Sequence, residues 1–367
     1  MKMIMRWFPF GDDSVTLGQI RQVPGVSGVA TCLPAIPVGE VWPADTLAKL
    51  KGEIAAAGLE MEVIESVNIH EDIKKGLPSR DRYIDNYRQT LKNLGEAGVK
   101  CLCYNFMPVI DWARSDLAHA LEDNSTVLSY RHDQVVKLNP AAMAKSMASK
   151  ALGYSLPGWE PERLPTMAAD IEFYQSMSRE DYWKNMKYFL DAAVPAANEA
   201  GVKLAIHPDD PPWPLFNLPK VISNAENIRT FLSLNPDPAN GLTLCTGSLG
   251  ANRQNNLPAI IREFAGQGRI HFAHIRNIRH LSDMDFDESA HLSRCGDLDM
   301  FEIVRAFHDS GFTGYVRPDH GRMIWGEQAR PGYGLYDRAL GAQYLLGLWE
   351  ALDKYRKQEP SAGSRKA

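Results

Sequence analysis

Eight short apolar runs, separated by longer helical patterns, limit what this chain can fold into. They lie near residues 3–7, 28–33, 60–65, 100–106, 203–207, 242–246, 270–276 and 314–318. Helical periodicity fills the gaps over 44–57, 81–97, 179–200, 225–234, 257–266 and 300–310. Strands that alternate with helices in this way are parallel, and eight of them close a (β/α)8 TIM barrel. The punctuation between elements agrees. Ala57-Gly58-Leu59, Ala97-Gly98-Val99 and Ala200-Gly201-Val202 each put a glycine where a helix can end left-handed before the next strand, as does Ser310-Gly311-Phe312.

The spacing fails once. Residues 107–178 show no strand periodicity and include Trp112, Tyr130, Trp159 and a Pro-rich stretch at 156–165. A long insertion at the C-terminal end of a barrel strand is expected to act as a lid or a subunit contact, and a homodimer is the expected assembly. The organisation is therefore one barrel domain over 1–350 carrying that insertion, followed by a C-terminal tail over 351–367.

Bulk properties narrow the function. The 367 residues, 44% hydrophobic, suit one large α/β barrel with an insertion. A net charge of -5, with no basic run before 354–357, leaves no electrostatic footprint for nucleic acid. Five cysteines, an odd number without disulfide-framework spacing, read as a reducing compartment. Cys101 and Cys103 fall on one face of a strand and read as buried thiols. The first residues lack a signal peptide's apolar region, and no run approaches the roughly 20 apolar residues that span a bilayer. A soluble, cytoplasmic protein without membrane contact is expected.

Four of the eight runs end in a residue able to bind a metal. His207 begins His-Pro-Asp-Asp-Pro-Pro, whose prolines forbid continuation of the strand. Cys245 ends the sixth run, His274 the seventh, and Asp319 follows the eighth. In a parallel barrel these positions share one face. Each alone has an ordinary structural use, as a hydrogen-bonded histidine, a buried thiol or a helix cap. Together they form a ligand set for a divalent transition ion. His271 lies three residues from His274, so the two point to opposite faces, and His274 is chosen as the ligand. An ion with open coordination positions for a chelating substrate favours Mn2+ or Fe2+ over tetrahedral zinc.

The strings Met5-Arg6-Trp7-Phe8-Pro9, His207-Pro208-Asp209-Asp210-Pro211-Pro212 and Cys245-Thr246-Gly247-Ser248-Leu249-Gly250 are followed by His271-Phe272-Ala273-His274-Ile275-Arg276-Asn277. Pro318-Asp319-His320-Gly321-Arg322 and Pro331-Gly332-Tyr333-Gly334 complete the series. In this order they resemble the mannonate dehydratase family, from Met5 to about Trp349. The resemblance implies a xylose-isomerase-like barrel with Mn2+ or Fe2+ on His207, Cys245, His274 and Asp319. It also implies an acid/base pair at His320 and Tyr333. The implied reaction dehydrates D-mannonate to 2-keto-3-deoxy-D-gluconate in hexuronate (glucuronate) catabolism. Candidates for grasping the sugar acid are Trp7, Glu65, Asn105, Asp209, Arg276, Asn277 and Arg322, with Asp210, Trp42, His70 and Lys74 behind them. Arginine is the natural bidentate partner of a carboxylate. A sugar isomerase, a phosphodiester hydrolase and a noncatalytic sensor are the rival readings. The cysteine ligand, the acidic charge balance and the His320/Tyr333 pair speak against them.

Overall fold

The structure is a computed structural model that describes residues 1–138 and 165–358, with Ala142, Lys145, Met147, Ser149, Gly153, Tyr154 and Trp159 between them. Its centre is a closed parallel barrel of strands β1 (Lys2–Arg6), β2 (Val26–Thr31), β3 (Glu60–Glu65), β4 (Cys101–Tyr104), β7 (Lys203–Ile206), β8 (Asn240–Cys245), β9 (Ile270–His274) and β12 (Tyr315–Arg317). All eight expected runs are strands of this barrel. Closure comes from β1 pairing with β12 at one side and β2 at the other.

Ile4, Ala30, Val63, Cys101, Cys103, Ala205 and Phe272 fill the barrel interior, so the two thiols do share a buried face. A larger apolar cluster lies between strands and helices. Helix periodicity explains it. Helix Leu257–Gly266 buries Leu257, Ile260, Ile261 and Phe264, and Asn256 caps its start by accepting from the Ala259 N–H. Asp299 caps Met300–Asp309 in the same way. The glycines at 58, 98, 201 and 311 all have positive φ, a region open to glycine at little cost.

Two expectations are corrected. The insertion is not free of strands: β5 (Asp116–Ala120) and β6 (Thr126–Tyr130) lie within it. They join β10 (Asn277–His280) and β11 (Phe286–Ser289) in a second, antiparallel sheet of order β10-β11-β6-β5. These strands carry charged and hydroxyl side chains that contact other loops, so the period-2 signal is lost. The sheet sits beyond the C-terminal end of β9, and the Tyr130 and Phe286 rings stack across it at 5.5 Å. The second correction concerns the tail, which does not begin at 351. Helix Leu335–Gln358 continues through that position, with Leu352 against the core and Asp353 on His308 Nε2 at 3.0 Å. The tail after 358 and most of the Pro-rich stretch 156–165 lie outside the described residues. No helix among the described residues is long and apolar enough to cross a membrane.

Candidate active site

Strand ends deliver the reactive side chains to one mouth of the barrel. His207 follows β7, and its Nδ1 lies 2.7 Å from the Pro208 carbonyl. Cys245 ends β8 and caps the helix Thr246–Gly250, its sulfur accepting from the Ser248 N–H at 3.4 Å and the Ser248 hydroxyl at 3.1 Å. His274 ends β9 with its ring fully buried. Donor atoms of these three residues all lie within 4.8 Å of one another. Ligand atoms about 2.0–2.3 Å from one ion are separated by no more than this, and two imidazoles with a sulfur suit a transition ion. The residues fit a metal.

Asp319 stands against this trio without closing it. Its Oδ2 is 3.4 Å from Cys245 Sγ, and its Oδ1 is 4.0 Å from His274 Nδ1. Both oxygens also meet guanidinium groups, Arg276 Nε at 2.7 Å and Arg317 Nη1 at 2.7 Å. Burial works against its charge, yet Arg317, His320 and Arg276 hold the carboxyl well below its ordinary range. His271 points away from the mouth, beside the backbone of Gly241. Burial, with Lys203 and Arg269 nearby, lowers it to about 4 and keeps it neutral. The three-residue spacing on β9 therefore separates the two histidines as expected.

Next to Asp319, the His320 ring bridges two partners. Its Nδ1 lies 2.9 and 3.0 Å from the two Glu288 oxygens, and its Nε2 lies 3.2 Å from the Tyr333 hydroxyl. Burial pushes Tyr333 up to about 12, with Arg317 opposing, so the phenol keeps its proton at neutral pH. The pocket around this pair is lined by Arg6, Glu65, Asn105, Trp112, Arg317 and Arg330, together with His207 and Asp319.

A model of D-mannonate dehydratase matches residues 1–359. The chain belongs to the D-mannonate dehydratase family. The mannonate dehydratase of Thermotoga petrophila is 54% identical over 98% of this chain and 99% of its own length. The crystal structure of mannonate dehydratase from Streptococcus suis serotype 2 superposes with a TM-score of 0.87 at 42% identity, covering 100% of this chain and 97% of that one. A structure of L-ribulose 3-epimerase, 13% identical with a TM-score of 0.53, covers 98% of both chains and shares the barrel fold. As a family member the chain is an enzyme, a carbon–oxygen hydro-lyase.

Within this mannonate dehydratase fold, the sugar-acid candidates divide. Glu65, Asn105 and Asp210 line the pocket. Glu65 bonds Arg317 Nη2 at 2.8 Å and lies 3.3 Å from His274 Nε2. Five others belong to the framework. Arg276, the expected carboxylate partner, is 1% exposed, bonds Asp319, Glu288 and Asp210 at 2.5–2.8 Å, and does not line the pocket. Asn277 bonds backbone groups of Ile278, Leu292 and Leu298. Asp209 accepts the Val221 and Ile222 N–H groups. Arg322 pairs with Asp337 and Asp123 outside the pocket, and Trp7 is packed in the core. Trp42 is also core, His70 caps the helix Glu71–Lys75, and Lys74 bonds Glu71 and the Met107 carbonyl.

Sequence reasoning passed over Arg6, Arg317, Glu288 and Arg114. The first two carried a signal, an arginine inside an apolar strand, which has to face something charged. Arg114 and Glu288 carried none. Arg114 grips both Asp210 oxygens at 2.8 and 2.9 Å and Glu288 at 2.8 Å. With Arg276 it closes a buried ring of charges that ties the insertion to the loops after β7 and β9 and to β11.

Proposed function

We propose that this chain converts D-mannonate to 2-keto-3-deoxy-D-gluconate and water, with Mn2+ or Fe2+ held by His207, Cys245, His274 and Asp319. One observation carries the reading: His207 of the His/Cys/His cluster, and Asp319 beside that cluster, line the same pocket as the His320–Tyr333 pair. When bound, the divalent ion would supply positive charge to offset what develops beside the substrate carboxylate. The chain's own residues manage the protons. His320 Nε2 faces the pocket as the acceptor for the C2 proton. Tyr333, still protonated at neutral pH, suits donation to the departing C3 oxygen. Loss of the C2 proton and the C3 hydroxyl leaves an enol, which ketonises at C2 by taking a proton at C3. Arg6 and Arg330 offer positive charge in the pocket for an anionic substrate, while Glu65 and Asn105 offer polar contacts to its hydroxyls.

The insertion 107–178, which contributes Trp112 to the pocket, acts in this reading as a lid or as the contact between two copies in a homodimer. Five cysteines, all unpaired, support the cytoplasm as the compartment, and the reaction belongs to hexuronate breakdown. The test is incubation of purified, anaerobically handled protein with D-mannonate and Mn2+ or Fe2+, following 2-keto-3-deoxy acid, with a chelator in a parallel sample. Metal-dependent product is expected. No product from folded, metal-loaded protein would overturn the assignment.

A further inference from the structure

We infer that Glu288, from the second sheet, is a positioning residue that holds the His320 imidazole ready to accept a proton. This rests on the reading of His320 and Tyr333 as the proton-transfer pair. A carboxylate only accepts hydrogen bonds. With both Glu288 oxygens at 2.9 and 3.0 Å from His320 Nδ1, that nitrogen carries the hydrogen, and the lone pair of the neutral ring is on Nε2. That is the nitrogen beside the Tyr333 hydroxyl, at the pocket wall.

The carboxylate is itself immobilised. Arg276 Nη1, at 2.5 Å, and Arg114 Nη2, at 2.8 Å, both bond Oε1. Oε2 keeps His320 as its only hydrogen-bond partner among the described residues. Glu288 is 3% exposed, so its carboxylate is largely shielded from water. Nothing else among the described residues bonds Nδ1, and without Glu288 the ring could turn or change tautomer. In a hydrolase triad, loss of such a carboxylate through the wrong tautomer costs about 10⁴-fold in turnover. Arg114 enters from the insertion, so the insertion helps aim a residue carried by the barrel.

The test is a cycle of E288Q, H320N and the double variant, assayed with D-mannonate and Mn2+, with bound manganese measured for each. Expected is a fall in kcat of about 100-fold or more for E288Q, with KM changed only slightly and manganese content intact. In the H320N background, E288Q should cost nothing further, because both act through one proton transfer. Losses that multiply instead would make Glu288 an independent structural group and overturn the proposal, while H320N itself still showed the loss. Loss of manganese in E288Q would trace its effect through Arg276 to Asp319 and also overturn it. Full turnover in H320N would remove the underlying acid/base reading, and the proposal with it. If E288Q does not fold, E288D keeps the charge that Arg114 and Arg276 require. Its loss of kcat should likewise vanish in the H320N background.

Discussion

Cys245 illustrates how little a single residue reveals until its neighbours are known. In sequence it is a thiol at the end of an apolar run. In the fold its sulfur shares a space within 4.8 Å with two imidazoles and receives two donors from Ser248. Cys245→Ala should abolish stoichiometric metal binding, read by metal analysis after dialysis against a weak chelator, and the protein should stay folded. A variant that retains the full metal complement would remove Cys245 from the ligand set. His320→Asn and Tyr333→Phe should each lower kcat by about 10²–10⁴-fold, the usual contribution of a positioned proton-transfer group. Both should keep their metal, because neither side chain is one of the proposed ligands. Steady-state kinetics together with metal analysis would separate these outcomes. His271 differs from His274 only in which way the strand turns it, and that alternation was readable in advance.

Elements divide into those that build the scaffold and those that aim its chemistry. Helix Arg179–Ala200 is scaffold, capped by Ser178 and ended by Gly201 in the left-handed region. Its Phe189 is fully buried among Tyr87, Tyr104 and Phe106. Phe189→Ala should cost about 3–5 kcal/mol of stability through the cavity it leaves. Urea unfolding would measure this, and kcat of the folded enzyme should hardly move. The second sheet plays the other part. Its β11 supplies Glu288, and the loop before β5 supplies Arg114. Neither strand announces itself by alternation, because polar side chains on both faces are consumed by contacts with distant loops. The same reasoning explains why Asn277 and Arg276 read as substrate ligands in the sequence. A polar residue at a strand end looks alike in sequence whether it meets a substrate or a neighbouring carboxylate.

At the scale of the whole molecule, a ring of buried charges makes stability depend on pH. Glu288 is penalised by burial, yet Arg276, His320 and Arg114 hold it at about 2, below its ordinary 4.5. Asp210 and Glu65 are likewise depressed, against burial, by Arg114 and Arg317 first. A carboxyl with a depressed folded value binds protons more readily in the unfolded chain. Its contribution is therefore complete above about pH 4.5 and is lost as pH falls toward about 2. Urea midpoints should drop steeply between about pH 5 and pH 3, and less steeply in E288Q if that variant folds. An unchanged midpoint over this range would mean that the carboxyls titrate alike in both states. Sequence alone determined the barrel, since the period of eight apolar runs, the helix caps and the glycine breaks are local properties that act within a few residues. It also determined that His207, Cys245, His274 and Asp319 share one face, because parallel strands place their ends together. Only the tertiary structure decided that Arg276 is locked in a charge ring, that the insertion forms a sheet with the β9 loop, and that Glu288 stands behind His320. Those pairings join residues as far apart as 114 and 288, and electrostatic complementarity between distant segments leaves no period in the chain.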